Sequence, residues 1–579
     1  MRERIRIEAA SGNAESQNKY AWMLFAGQGG DTDYKEACRY FKMAADNGQV
    51  QAQFALAGIL YAQDLDATNR AEARKYYKKA AYSGRVEAQA IYAMMCLNGE
   101  GGPINMGEAR KYLRMAADNG RIDAQTDYAL MLLQGKGGKI DLKEAYKYFR
   151  IAALKGQSIA QFNYAMMLQS GDGGDVIDLK GARKYFKLAI DNPLILNNER
   201  TFSRLQYALL LLDGKGGDVD LPEARKHLGD AAESGFNPAR HLYAETLRSG
   251  KGGEIDLPGA LNHLRLAAEE GFLPSQSLYA RMLYSGEGCR PNQEKAIEYL
   301  KSASSAGHSE AQINYASIII NRDSSDADFQ QARRYLKSAI KNNFIIAHYL
   351  YALMLYDGKG GGKNPEEARK YFKLAADKDH VEAKHWYATM VRDGEGGSQN
   401  KEEAREYLKL AADKENMKAQ REYAKMLYHG EGGAKDLKNA YKYFKWAADK
   451  GDSEAQIGLA RMMYYGEYGS INLEGARKYS KLSADQGNAS AQNGYAMMLC
   501  DGEGGPKNQA EARAYFQKAA DNNHVQAQFN YATVMRDGIG GAIDLGNAIK
   551  YFKMAADQGD LDAKNDYDAL VAKSKPNLY

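Results

Sequence analysis

Apolar and polar positions alternate along this chain with the period of an α-helix. In residues 88–98, Tyr92, Met95 and Cys96 fall on one face when successive residues are placed about 100° apart. A glycine-rich loop at residues 99–102 follows this segment. Glycine adopts the left-handed conformation that a helix C-terminus requires, so the loop marks the end of the helix. The pattern predicts an amphipathic helix, termed helix A.

A second amphipathic segment follows the loop, at residues 108–118. Ala109, Tyr112 and Leu113 share its apolar face. Arg114 and Asp118 lie on the opposite face, four residues apart, where they can form an ion pair. The pattern predicts a second helix, termed helix B, and therefore a helical hairpin.

The same unit recurs from end to end of the 579 residues. The residue at the centre of helix A recurs every 36 residues, except for one step of 43 between Tyr164 and Tyr207. A period in this range is typical of a solenoid, in which each unit packs only on its neighbours. We therefore predict an all-α solenoid of about sixteen helical hairpins. The sixteen central residues are Tyr20, Leu56, Tyr92, Tyr128, Tyr164, Tyr207, Tyr243, Tyr279, Tyr315, Tyr351, Tyr387, Tyr423, Leu459, Tyr495, Tyr531 and Tyr567.

The repeated residues resemble a known family. The unit contains Ala-Gln-x-x-Tyr-Ala-x-Met-Leu-x-x-Gly-x-Gly-Gly and then Glu-Ala-Arg-Lys-Tyr-Phe-Lys-x-Ala-Ala-Asp-x-Gly. It is similar to the Sel-1-like repeat, a branch of the tetratricopeptide-type helical hairpins, and the similarity covers nearly the whole chain. The resemblance implies a right-handed α/α superhelix with helix A on the concave side. It also implies an adaptor or scaffold that binds protein or peptide partners.

One joint interrupts the array more than any other. The segment from Asp191 to Thr201 contains Pro193 and six residues more than the other units have there. Extra residues and proline break the regular spacing of hairpins. The sequence therefore predicts two segments of Sel-1-like repeats, residues 1–190 and 202–579, separated by an irregular joint at residues 191–201.

The chain opens inside a repeat. Residues 9–12 match the end of a helix B, although solenoids normally begin with a polar capping unit. Either residues 1–8 form a makeshift cap, or the sequence is the C-terminal piece of a longer protein. The second possibility keeps open an alternative function, in which the repeats are the regulatory arm of a larger enzyme, such as a kinase, whose catalytic domain lies upstream.

Charge gives no sign of a polyanionic partner. The net charge is +4, from 78 basic and 74 acidic residues. The recurrent Arg-Lys pair of helix B lies beside Asp and Glu on the outer face, which predicts a solvated surface and no nucleic-acid binding.

The location of the protein is predicted from its cysteines and its hydropathy. The chain lacks a run of about 18 apolar residues, so no membrane span is expected. Its N-terminus does not resemble a signal peptide. Cys38, Cys96, Cys289 and Cys500 occupy unrelated helix positions, which favours a reducing compartment and a cytoplasmic location. The oligomeric state stays open.

No motif in the sequence indicates catalysis. The glycine-rich loops follow a helix instead of a strand and lack Gly-Lys-Ser/Thr, so they are interpreted as helix ends and not as phosphate loops. The nine histidines show no metal-ligand spacing, and Gly-x-Ser-x-Gly is absent. We therefore expect no catalytic residue, no cofactor and no metal, and we favour a non-catalytic scaffold.

The candidate binding residues lie on helix A, opposite its apolar core face. Apolar side chains dominate these positions in the first six units, whereas Arg and Tyr become common from the seventh unit onward. The apolar stripe is either a groove for an apolar helix or a surface that neighbouring A helices half cover. Arg and Tyr dominate the energetics of protein interfaces, so the second set is the predicted partner-binding face. The apolar stripe comprises Trp22, Phe25, Phe54, Met94, Leu130 and Phe162. The Arg/Tyr set comprises Arg281, Tyr284, Tyr356, Arg392, Lys425, Tyr428, Arg461, Tyr464 and Arg536.

Overall fold

A computed structural model describes residues 1–62, 67–174 and 176–574 of the chain. The described residues form 32 helices, and none of them lies in a β-strand. Even-numbered helices are A helices, and odd-numbered helices are B helices.

The A helices are α2 Ala14–Ala26, α4 Val50–Ala62, α6 Val86–Asn98, α8 Ile122–Gln134, α10 Ser158–Ser170, α12 Asn197–Leu212, α14 Asn237–Ser249, α16 Leu273–Ser285, α18 Ser309–Ile320, α20 Ile345–Asp357, α22 Val381–Asp393, α24 Met417–His429, α26 Ser453–Tyr465, α28 Ala489–Asp501, α30 Val525–Arg536 and α32 Leu561–Ser574. The B helices are α1 Arg2–Ala10, α3 Tyr34–Asp46, α5 Ala67–Tyr82, α7 Met106–Asp118, α9 Leu142–Leu154, α11 Leu179–Asp191, α13 Leu221–Glu233, α15 Leu257–Glu269, α17 Gln293–Ser305, α19 Asp326–Lys341, α21 Pro365–Ala376, α23 Lys401–Asp413, α25 Leu437–Asp449, α27 Leu473–Asp485, α29 Gln509–Asp521 and α31 Leu545–Asp557.

Most hairpins are held by a tyrosine from each of their two helices. Tyr92 of α6 meets Tyr112 of α7 edge to face, with ring centroids 4.9 Å apart and an interplanar angle of 88°. Tyr387 and Tyr407 repeat this geometry at 4.8 Å in α22 and α23. Alanines on both helices are buried, which lets the backbones approach closely. The prediction of all-α helical hairpins is confirmed.

The glycine-rich loops do more than end helix A. Gly135 caps α8 in the left-handed region, at φ 69°, as the sequence predicts. Gly137, at φ +73°, lies so close to the start of the previous B helix that a Cβ atom would stand 2.1 Å from the Met106 carbonyl oxygen. The Arg110 guanidinium then donates a hydrogen bond to the Lys139 carbonyl, at 2.8 Å. Part of the recurrent Arg-Lys pair therefore fastens the loop of the next repeat.

A recurrent glutamine connects many of the A helices to the preceding B helix. Gln89 Nε2 donates to the Ala81 carbonyl at 3.3 Å, and Gln420 Nε2 donates to the Ala412 carbonyl at 3.1 Å. These carbonyls lie in the last turn of a helix, where no intrahelical donor is available. Each carbonyl also accepts from the backbone N–H three residues later, so the glutamine supplies a second, buried donor to it.

Cations on the outer face of the B helices pair with acids of the next repeat. Lys78 Nζ lies 2.7 Å from Glu108, and Lys373 Nζ lies 3.0 Å from Glu403. Exposed pairs of this kind contribute little to stability, but they neutralise the outer face. The outer face of the B helices therefore carries paired charges, as a face exposed to water can.

Contact density divides the chain into two compact units, Met1–Ala296 and Ile297–Tyr579. The joint at residues 191–201 lies inside the first unit. It is absorbed by a turn at residues 192–196 and by α12, which has 16 residues where α10 has 13. Asn192 Nδ2 donates to the Gly156 carbonyl at 2.9 Å, and Arg200 donates to the Asn192 carbonyl at 3.0 Å. Asn192 thus attaches the joint to the end of the preceding hairpin loop at Gly156, and Arg200 connects the two ends of the joint to each other.

We expect brief proteinase K digestion to cut first between residues 192 and 196. Leu194 is 82% exposed and lies outside the helices, where the backbone can enter the active site of a protease. Mass spectrometry of the first fragments checks the site. Arg200→Ala removes the hydrogen bond to Asn192 and should speed this cut severalfold. First cuts spread evenly over the glycine-rich loops would contradict a special joint.

Candidate partner-binding face

The candidate face consists of the A-helix side chains two residues before, two residues after and five residues after the central residue. In α26, Leu459, Met462 and Met463 are buried, whereas Arg461 is exposed and Tyr464 is half-buried. The helical period alone produces this division, because these positions lie on opposite sides of the helix. The nine residues of the Arg/Tyr set fall into three groups when their contacts are compared.

Two arginines of the set are exposed and carry no carboxylate partner. Arg281 and Arg461 make no ion pair with any residue in the described part of the chain. The Arg461 guanidinium lies over the Tyr428 ring, 5.4 Å from its centroid. Such a cation can still accept a partner's acidic or aromatic group. Tyr284, three residues after Arg281, is half-buried.

A second group forms an ionic network around Glu422. Arg392 Nη1 lies 2.7 Å from Glu422, Arg421 Nε lies 2.9 Å from it, and Lys425 Nζ lies 3.7 Å from it. Burial by itself raises the pKa of the Glu422 carboxyl, but the three cations outweigh burial and lower that pKa overall. Arg392 and Lys425 therefore already pair with a carboxylate of the same compact unit, Ile297–Tyr579, and the Arg392 side chain is only 21% exposed. Arg536 is similarly engaged, at 2.7 Å from Asp537 and 2.9 Å from Asp566.

The third group consists of tyrosines that bond to the loop of the next repeat. Tyr428 donates to Glu467 at 2.6 Å and Tyr464 donates to Glu503 at 3.0 Å, each across 39 residues. Glu395 likewise accepts from Tyr356, and this hydrogen bond, together with burial, raises the pKa of Tyr356. Tyr428 is only 8% exposed. These hydroxyl groups connect neighbouring repeats.

The tyrosine–glutamate bond has a signal in the sequence. Where helix A ends with this Tyr, a Glu often stands 39 residues later in the glycine-rich loop, as in Tyr61 and Glu100, which bond at 2.6 Å. The helical period treats the two positions separately and does not show that they pair. Arg392 and Tyr428, which the sequence places opposite the core of helix A, are mostly buried, because the next repeat covers them.

The apolar stripe lies entirely in the first unit and is mostly packed. The Trp22 side chain is 45% exposed and that of Met94 is 39% exposed, whereas Leu130 and the three Phe residues are half-buried. Trp22 meets Phe25 at 5.7 Å, Phe162 meets Phe202 at 5.9 Å, and the Arg85 guanidinium covers the Phe54 ring at 4.1 Å. Neighbouring side chains thus cover most of the stripe. Its exposed part is confined to Trp22 and Met94.

A family model for the Sel1 repeat matches fifteen consecutive segments of the chain, which together span most of residues 14–560. The chain belongs to the Sel1 repeat family. The resemblance found in the residues is thereby confirmed, and Sel1 repeats generally form scaffolds for protein interaction. The matched segments are residues 14–49, 50–84, 86–120, 122–157, 158–193, 202–236, 238–272, 273–308, 309–344, 345–380, 381–416, 418–452, 453–488, 489–524 and 525–560.

A solved structure shows the same Sel1 fold. The chain is similar to c5321, a protective antigen of uropathogenic Escherichia coli strains, at 22% identity and a TM-score of 0.61, covering 80% of this chain and 97% of that one. A Sel1 repeat protein from Oxalobacter formigenes matches at 21% identity and a TM-score of 0.38, covering 42% of this chain and 96% of its own. No protein with a curated description matches the sequence.

Within the described ranges of this Sel1 chain, no helix combines the length and apolar character needed to cross a bilayer.

Proposed function

We propose that this Sel1 repeat protein is a non-catalytic adaptor that binds segments of partner proteins on the exposed face of its A helices. The concave placement of that face, implied by the family resemblance, is part of the proposal. Solenoids present extended surfaces of this kind, and several successive repeats contribute to each binding segment.

The observation that carries the proposal is the state of Arg461. Its guanidinium is exposed, has no carboxylate partner in the described chain, and lies beside half-buried Tyr464 and exposed Tyr465. An arginine flanked by tyrosines is the side-chain combination that contributes most to protein interfaces. Folding does not need this cation for an ion pair, so it is free to bind a partner.

We expect Arg461→Ala to weaken binding of a partner by about 2 kcal/mol, the scale of an interface hot spot, with little change in melting temperature. Arg392→Ala is the matched control on the same face. Because Arg392 is paired with Glu422 and Asp393, its removal should lower stability first. Circular dichroism melts and isothermal titration of the purified chain with a captured partner separate the two effects.

The partners themselves can be identified by affinity purification and mass spectrometry of the full chain, repeated with Arg461→Glu. Reversal of charge should remove a defined subset of the bound proteins while the fold is kept. If a folded Arg461→Glu variant retains the full set of partners, binding does not use this face, and the exposed part of the apolar stripe, Trp22 and Met94, becomes the next surface to change.

A further inference from the structure

A cavity of about 610 Å³ opens on the candidate face between α26, α27 and α28, all within the second unit. Its floor is apolar, and its rim carries Arg461, Tyr464 and three carboxylates. The floor comprises Ile457, Ala460, Ala476 and Met498, together with Gly494, whereas Met497 also lines the cavity but is 47% exposed. Two small residues, Ser480 and Gly494, account for the space.

Ser480 occupies a position at which all the remaining B helices from α3 to α31 have a large apolar residue. Ser480 is buried, at 5% exposed, so the missing side chain leaves space inside the stack and not on its surface. The equivalent residues are Phe41, Tyr77, Leu113, Phe149, Phe186, Leu228, Leu264, Leu300, Leu336, Phe372, Leu408, Phe444, Phe516 and Phe552.

Gly494 lies directly before the central Tyr495 of α28. A Cβ atom added to Gly494 would meet no heavy atom within 4 Å. Gly458 has the same place in α26, but there the Phe444 ring fills the space, 2.9 Å from where a Cβ would stand. The cavity therefore requires both small residues, Ser480 on α27 and Gly494 on α28.

The same unit shows what fills this space elsewhere. Phe372 and Trp386 occupy the positions equivalent to Ser480 and Gly494, and their rings stack with centroids 5.7 Å apart and planes 6° apart. Tyr356, the equivalent of Tyr464, meets the Trp386 ring at 5.3 Å and 61°. At the cavity the tyrosine is present and both partner rings are missing. An aromatic side chain from another molecule could make with Tyr464 the edge-to-face contact that Trp386 makes with Tyr356.

The rim adds a preference for positive charge. Glu467, Asp501 and Glu503 border the cavity with a single cation, Arg461. None of the three carboxylates forms an ion pair with a described residue. Glu467 accepts from Tyr428 through Oε1, while its Oε2 is buried and has no hydrogen-bond partner among the described residues. A buried carboxylate oxygen in this state is suited to a donor from a ligand, most strongly a cation.

We propose that this cavity is the anchor point for the partner segment, an inference that rests on the proposed function. The cavity takes an aromatic side chain, indole or phenyl, that is adjacent to a lysine or arginine in the partner. The ring enters between Ser480 and Gly494 and meets Tyr464 edge to face. The neighbouring cation pairs with Glu467 and Asp501. The partner is thus defined by an aromatic residue next to a basic one.

The test uses the full chain with ¹³C-methyl-labelled methionine and three blocked tripeptides as probes. Ac-Lys-Trp-Lys-NH₂ supplies ring and charge, Ac-Gly-Trp-Gly-NH₂ supplies the ring, and Ac-Lys-Gly-Lys-NH₂ supplies the charge. The Met497 methyl signal should shift saturably with the first probe and about tenfold more weakly with the other two. Met390, four residues after Trp386 in α22 and equivalent to Met498, is the internal control and should not shift.

Filling the cavity provides the decisive variant. Ser480→Phe with Gly494→Trp restores the pair seen at Phe372 and Trp386, and should abolish the Met497 response while the melting temperature is kept or raised. Glu467→Gln is the second variant, because it keeps the acceptor for Tyr428 and should remove only the preference for the lysine-containing probe. A response that persists in the folded, filled variant, a preference for the lysine-containing probe that survives Glu467→Gln, or a Met497 signal that never saturates overturns the inference.

The outcomes separate this inference from the proposed function. If Met497 does not respond to any probe while Arg461→Glu still loses partner proteins, the anchor is wrong and the adaptor function stands. If Met497 responds and the filled variant loses the response, but no protein is captured in a manner that depends on Arg461, the anchor stands and the adaptor function fails.

Discussion

Replacing Tyr387 by alanine should cost about 3–5 kcal/mol of local stability, the range for removal of a large aromatic core residue. Tyr387 is 4% exposed, and its ring lies 4.8 Å from that of Tyr407. Its hydroxyl donates to Glu403 at 2.7 Å and accepts from Lys373 at 3.2 Å. The substitution therefore removes both a core ring and a polar connection between two B helices.

The loss should appear as local unfolding around α21 to α24, because solenoid contacts join nearest neighbours. Hydrogen exchange followed by mass spectrometry locates it. Tyr387→Phe is the matched control: it keeps the ring, and the Lys373–Glu403 pair at 3.0 Å remains, so it should cost only about 1 kcal/mol. Unchanged exchange in the alanine variant would show that Tyr387 does not support the core.

Glu422→Ala should be the second most damaging single change, on the order of 3 kcal/mol, because it leaves three cations without their shared acid. The Glu422 side chain is 14% exposed, and Arg392 and Arg421 are 21% and 22% exposed, so water replaces the lost contacts poorly. Glu454→Ala is the matched control. Glu454 is 52% exposed and shares Lys425 at 3.5 Å, so its removal should cost less than about 1 kcal/mol.

The pH dependence of the Glu422 network has a definite sign. The cations lower the pKa of Glu422 below its ordinary value of 4.5 in the folded chain. The folded state therefore holds fewer protons, and the stabilisation is fully present above pH 4.5 and lost as pH falls through the lowered pKa. The stability difference between the wild-type protein and Glu422→Gln should be largest above that pH and shrink below it. A difference that grows on acidification would contradict the network.

Sequence reasoning predicted the elements of this protein well because the repeat states each element many times. Tyr92, Ala109 and Tyr112 were assigned to the core from the helical period, and all three are buried. Gly135 was interpreted as a helix end and has the left-handed φ that this role requires. Such features depend on residues within a few turns of one another, which a pattern along one chain can show.

The candidate face was predicted less completely. The period showed which side of helix A is opposite the core, and Arg461 is indeed exposed there. It could not show that Arg392 reaches Glu422, 30 residues later, because this contact depends on how one hairpin is placed on the next. Arg461 and Arg392 lie on the same face of helix A, two and five residues after the central residue, and the period along the chain does not show which of the two cations the adjacent hairpin pairs.

The sequence alone determined the helical hairpins, their core and the family, because the helical period and the 36-residue repeat are properties of local order along the chain. The tertiary structure decided which side chains of the A face are available and where a cavity opens. Ser480 and Gly494 are 14 residues apart on different helices, and each alone is an unremarkable small residue. They form a site only because packing places one above the other at the position that Phe372 and Trp386 fill in another repeat.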